Sequence, residues 1–123
     1  MVCTIRPLHP AMETRVVPRP GFTLVALGGR LDMISAGPLE QELEGLIAGG
    51  TRRLAIDMSA LDYLSSAGLR SLLIAGKRLP GAVALVGLRG TVKEVLELAG
   101  LASVFPCYAN EPELIAARPD WRT

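Results

Sequence analysis

The sequence is short of the parts that most chemistry needs. Its 123 residues include one histidine, His9, and two cysteines, Cys3 and Cys107. The cysteines have no Cys-x-x-Cys spacing, so a disulfide framework or a zinc site is not expected, and both are read as reduced thiols. Thirteen Lys and Arg against twelve Asp and Glu leave a net charge of +1. That balance carries no electrostatic footprint for nucleic acid. No apolar run approaches the roughly 18 residues of a membrane span. The opening "MVCTIRPLHP" lacks the apolar stretch of a secretion signal. The expectation is a cytoplasmic protein with no membrane insertion and no direct contact with nucleic acid.

What is present is a core. Half of the residues are apolar, enough for one domain at this length without metal or disulfide support. The first 21 residues hold Pro7, Pro10, Pro18 and Pro20. They read as an extended arm, flexible over 1–13, with a short edge strand at Val16–Val17 limited by Pro18.

Beyond the arm, strand and helix patterns alternate. "FTLVALGGRLD" reads as a strand ending in a glycine-assisted bend. "SAGPLEQELEGLIAGG" reads as a helix, with Leu39, Leu43, Leu46 and Ile47 on one face, Ser35 as its cap and Pro38 in its first turn. "RRLAIDMS" is a short strand. "SSAGLRSLLIAGKRL" is a second helix with a stripe of Leu69, Leu72, Leu73 and Leu79. "AVALVGL" has the continuous apolarity of a strand buried on both faces. In "TVKEVLELAG", Thr91 and Glu94 have the spacing of a capping box. "SVFPCY" is a last strand, "NEPELIAA" a last short helix, and 118–123 a loose tail. The pattern predicts an α/β fold with a mixed central sheet of four to five strands and about four helices, its middle strands parallel.

In such sheets sites gather beyond the carboxyl ends of the parallel strands. The turn after "LAIDMS" leads to Ser65–Ser66, and Asp32 follows the preceding strand. An enzyme is not expected. A nucleophilic serine needs a base, and His9 lies in the arm. Gly-x-Ser-x-Gly, the P-loop and Gly-x-Gly-x-x-Gly are absent. Asp57 and Asp62 suit solvation or bonds to loop amides. The serines have a plain reading, that one of them caps the helix. A second reading, that a kinase approaches one of them, draws on the small residues Ala67 and Gly68 that follow.

"YLSSAGLRSLL" resembles the signature turn and helix of STAS domains, particularly the bacterial anti-sigma-factor antagonists. The order and spacing of "LVALGGRLDMISAGPLEQEL", "RRLAIDMSALDYL" and "TVKEVLELAGLASVFPCYANEPEL" resemble the same family. The resemblance extends over about 14–117, so the chain is identified as a single STAS domain. It implies that Ser66 is the phosphorylated serine. Ser65 stands where the family carries Asp, Ala67 follows the acceptor, Gly68 and Leu69 match, and Arg70 stands where a second glycine is common. Asp32 matches the acidic residue of the first bend. The implied partner surface comprises Asp32, Ser65, Ser66, Ala67, Gly68 and Arg70, with Leu69, Leu72 and Leu73 in the core. The implied partners are an anti-sigma factor that is also a serine kinase, and a phosphatase, with no cofactor and no metal bound to this chain. The alternatives are a STAS subunit of a lipid-transport ATPase and a subunit of a stress-sensing scaffold.

Overall fold

A computed structural model describes the backbone of residues 4–9 and residues 12–122. Cys3 and Pro10 lie outside the described residues, as does the side chain of His9. Six strands form one sheet in sequence order: β1 (Thr4–His9), β2 (Met12–Pro18), β3 (Thr23–Leu31), β4 (Leu54–Leu64), β5 (Val83–Val86) and β6 (Cys107–Tyr108). β1–β2 and β2–β3 pair antiparallel, and β3–β4, β4–β5 and β5–β6 pair parallel. The sheet is mixed, as expected. It has one strand more than expected, because Thr4–His9, read as part of the arm, pairs with β2. Pro7 fits such a position because β1 is an edge strand, where a missing N–H interrupts no central ladder.

The helices are α1 (Met33–Ala48), α2 (Ser66–Arg78), α3 (Gly90–Leu98) and α4 (Glu111–Ala117), with 3-10 turns at Leu101–Ser103 and Pro119–Arg122. The larger core gathers Val25, Leu27 and Leu31 of β3, Leu54, Ile56 and Met58 of β4, and the inward residues of α1, α2 and α3. Leu24 of β3, Ala55 of β4, and Ala84 and Val86 of β5 join Leu114 of α4, Phe22 and Trp121 in a second cluster on the other face. Parallel strands covered on both faces need both sets to be apolar.

That second cluster corrects the reading of 118–123 as a loose tail for the described part of it, 118–122. Trp121 is 2% exposed, and its ring lies 5.5 Å from that of Phe22. Arg118 extends its guanidinium over the indole, 5.6 Å from the ring centre. One large aromatic supplies enough buried area to hold a short 3-10 turn.

The helix starts also differ in detail. Asp32, not Ser35, caps α1: its carboxylate accepts from the amides of Ile34 and Ser35, while the Ser35 hydroxyl accepts from the Asp32 amide. Pro38 therefore lies inside the helix rather than in its first turn. α3 starts at Gly90 with Arg89 as its N-cap and no side-chain capping bond. The Thr91–Glu94 box does not form, because Thr91 is already one residue inside the helix.

Candidate functional site

Two parallel strands deliver two helices to the same end of the sheet. Leu31, the last residue of β3, pairs with Leu64, the last of β4. Each strand then passes into its helix through a single residue, Asp32 into α1 and Ser65 into α2. The Ser65 amide donates to the Leu31 carbonyl at 2.9 Å, which locks the two junctions together. The nearness of Asp32 to the serine pair, expected from sequence, follows from this register.

The serines divide the work. Ser65 is the N-cap of α2: its backbone is extended and its hydroxyl accepts from the Gly68 amide at 3.2 Å. Ser66 is the first helical residue and is exposed, while Ser65 is half-buried. The capping hydroxyl and the accessible hydroxyl are thus neighbours, and Ser66 is not the cap.

The residues after them follow the helical period. Ala67 is half-buried, Gly68 buried and Arg70 exposed. Leu72 is fully buried, whereas Leu69 and Leu73 are partly buried and pack against the core. Gly68 is therefore a packing residue beneath the surface rather than part of it. A Cβ placed there would meet Leu31 Cγ at 2.6 Å and Leu64 Cδ1 at 3.0 Å, so glycine lets α2 lie close on the strand ends. Ser71 continues the contact by donating to the Ala36 carbonyl of α1 at 3.0 Å.

Around the serines lies a surface that sequence reasoning missed. Met33 and Ile34, the first residues of α1, are 79% and 61% exposed, and Tyr63 is 40% exposed. Arg30 pairs with Tyr63 across β3 and β4 and stacks on its ring at 4.1 Å. The available signal is the placement of Met33 and Ile34 ahead of the Leu39–Leu43 stripe, outside the inward face. Apolar residues held out in this way next to polar groups are characteristic of protein contact surfaces.

The acids nearby have structural tasks. Asp57 accepts from the Ser59 amide and hydroxyl at 2.9 and 2.7 Å. Asp62 faces Arg89 at 3.6 Å, and Arg89 also donates to the Ser59 carbonyl. At the far edge, partial burial raises the thiol of Cys107 above its ordinary range, which disfavours the reactive thiolate. Among the described residues no group of three or more His, Cys, Asp or Glu stands close enough to hold a metal ion. No described helix is long and apolar enough to cross a membrane.

A family model described as the STAS domain matches residues 12–114. The chain belongs to the STAS domain family. BtrV of Bordetella bronchiseptica, provisionally named an anti-sigma factor antagonist, is 40% identical over 100 residues, covering 79% of this chain and 85% of that protein. The anti-sigma-F factor antagonist RsfB of Mycobacterium tuberculosis is 30% identical over 92 residues, covering 73% of this chain and 75% of its own length. The crystal structure of an anti-sigma factor antagonist from Mycobacterium paratuberculosis superposes with a TM-score of 0.79 at 30% identity, covering 89% of this chain and 96% of that one. The STAS match takes in β2 to most of α4, including both helix starts at the serine site.

Proposed function

We propose that this STAS domain is a bacterial anti-sigma-factor antagonist that works by partner switching in the cytoplasm. Unmodified, it binds an anti-sigma factor and frees the sigma factor. The anti-sigma factor is also the kinase. It transfers a phosphoryl group from ATP to Ser66 Oγ, releasing ADP, while the hydroxyl proton passes to a base of the kinase. A phosphatase hydrolyses the ester and resets the cycle. This chain contributes the acceptor and the docking surface; the nucleotide and the catalytic base belong to the partner.

The observation that carries this reading is the position of Ser66. It is exposed as the first residue of α2, beside a serine whose hydroxyl is already committed to the cap. A phosphate there sits at the positive end of a helix dipole, which tolerates the added charge of about −1.5 to −2. The domain keeps its fold and the penalty falls on the interface. A 100-fold loss of affinity requires only about 2.8 kcal/mol. A dianion set among the exposed Met33, Ile34 and Tyr63 supplies it when a partner covers that surface. Asp32, Ser65, Ala67 and Arg70 complete the contact, and Gly68 shapes it from below.

The test is a pull-down with unmodified protein and identification of the prey. Mass spectrometry after incubation with the captured kinase and ATP then locates the phosphate. Phosphate on Ser66, absent in Ser66→Ala and accompanied by release of the prey, is the expected result. Phosphate on Ser65, or a complex that persists after Ser66 is modified, overturns the reading.

A further inference from the structure

The face of α2 that carries Ser66 also carries a cation. Arg70 lies four residues on, one turn along the helix, and both residues are exposed. Residues at i and i+4 are neighbours on a helix surface. Side chains lean toward the helix N-terminus, so a long side chain at 70 reaches back over the turn that holds 66. The inward face of the helix is formed by Gly68, Ser71, Leu72 and Ala75, on the opposite side.

The other charges at this end are committed elsewhere. Arg30 is stacked on Tyr63. Arg89 is held by Asp62 and the Ser59 carbonyl. Asp32 caps the neighbouring α1. Among the described residues Arg70 takes part in no ion pair. In the first turn of α2, the Gly68 amide is taken by Ser65 Oγ and the Leu69 amide by the Ser65 carbonyl. The amides of Ser66 and Ala67 belong to the orphan donors of a helix start.

We propose that Arg70 is the residue that holds phosphorylated Ser66 within its own chain. The guanidinium binds the phosphate oxygens from one side, and the Ser66 and Ala67 amides bind them from the other. Guanidinium and phosphate form short, charge-assisted and bidentate bonds. The pair has three effects. It stabilises the phosphorylated domain, and it withdraws from the partner a cation that the unmodified surface offered. Modification therefore changes the surface twice, adding an anion and removing a cation. It also shields the phosphate ester from the phosphatase. This regulation rests on Ser66 being the modified residue, as proposed above.

The experiment separates the two ideas by placing phosphoserine at position 66 through genetic encoding, with no kinase involved. Phosphorus NMR titrations are recorded for this protein and for its Arg70→Lys and Arg70→Ala variants, with melting temperatures of modified and unmodified forms. The charged facing groups are Arg70 on α2, Arg30 and Asp32 at the end of β3, and Asp62 and Arg89 beyond them. The expected result is that the phosphate titrates at the lowest pH with Arg70, higher with Lys and highest with Ala. Phosphorylation should raise the melting temperature with Arg70 and less so with Ala. A broad-specificity phosphatase should remove the phosphate severalfold faster from the Ala variant. Identical titrations in the three proteins overturn the pairing even if the cognate kinase modifies Ser66. A pairing that appears while that kinase leaves Ser66 untouched overturns the switch and not the geometry.

Discussion

Ser71 Oγ donates to the Ala36 carbonyl at 3.0 Å from a residue that is 4% exposed, tying α2 to α1 just below their paired starts. The same hydroxyl lies 3.3 Å from the Ala67 carbonyl one turn back. Ser71→Ala is expected to lose about 0.5–1.5 kcal/mol in urea denaturation. A loss of that size with an unchanged denaturant slope places the effect on the native contact.

Gly68→Ala should destabilise the domain, although alanine is the better helix former by about 1 kcal/mol. The new methyl has no room against Leu31 and Leu64, and overpacking of this kind typically costs about 1–3 kcal/mol. A higher melting temperature for the variant would show that the helix can lift away from the strand ends.

The two serines should separate in stability measurements. Ser65→Ala removes the cap of α2 and is expected to cost about 1 kcal/mol. Ser66→Ala, at an exposed first position, should fall within about 0.5 kcal/mol of the parent. Equal losses in chemical denaturation would mean that the cap is shared.

Leu72→Ala should cost about 2–5 kcal/mol, since the side chain is fully buried. Arg70→Ala should leave stability almost unchanged while weakening partner binding. Calorimetry on both variants checks the rotation of α2: a destabilised Arg70→Ala beside an unaffected Leu72→Ala would reverse it.

Trp121 is the single tryptophan of the chain and is buried against Phe22. Its fluorescence should report global unfolding, in step with far-ultraviolet circular dichroism. Trp121→Ala should cost about 3–5 kcal/mol. A fluorescence transition that precedes the loss of secondary structure would mark the last turn as a separate unit.

The helices are legible in the sequence because their apolar periods are regular. Leu39 and Leu43 point inward, with Leu46 and Ile47 partly buried beside them. β4 is legible only in part. Its eleven residues stand against nine of β3, with register shifts opposite Ala26/Gly28 and Gly29/Arg30. These irregularities break the alternation beyond Met58, so Leu61 and Leu64 are both buried although three residues apart. A period of three in a strand reads as a turn, which is why 59–64 looks like a loop in the sequence. The glycines of "LGGRL" mislead in the same way: they lie within β3 rather than in a bend, with Gly29 at φ 96°. The serine pair stands out because two hydroxyls before a helix are conspicuous. Their division of labour does not, since capping depends on backbone extension at one residue. Trp121 looks like part of a tail because its partner, Phe22, is 99 positions away in sequence.

The one-residue passage from β4 into α2 has a consequence for the kinetics of recognition. A hydroxyl carried on a flexible loop must be ordered at each encounter, and the entropy of ordering is lost from the affinity. Here Ser66 is carried between a paired strand end and a buried glycine, so its surroundings are already shaped in the free domain. In the proposed partner switch, encounter would then be rigid-body docking, and phosphorylation of Ser66 would alter the lifetime of the complex more than the rate at which it forms.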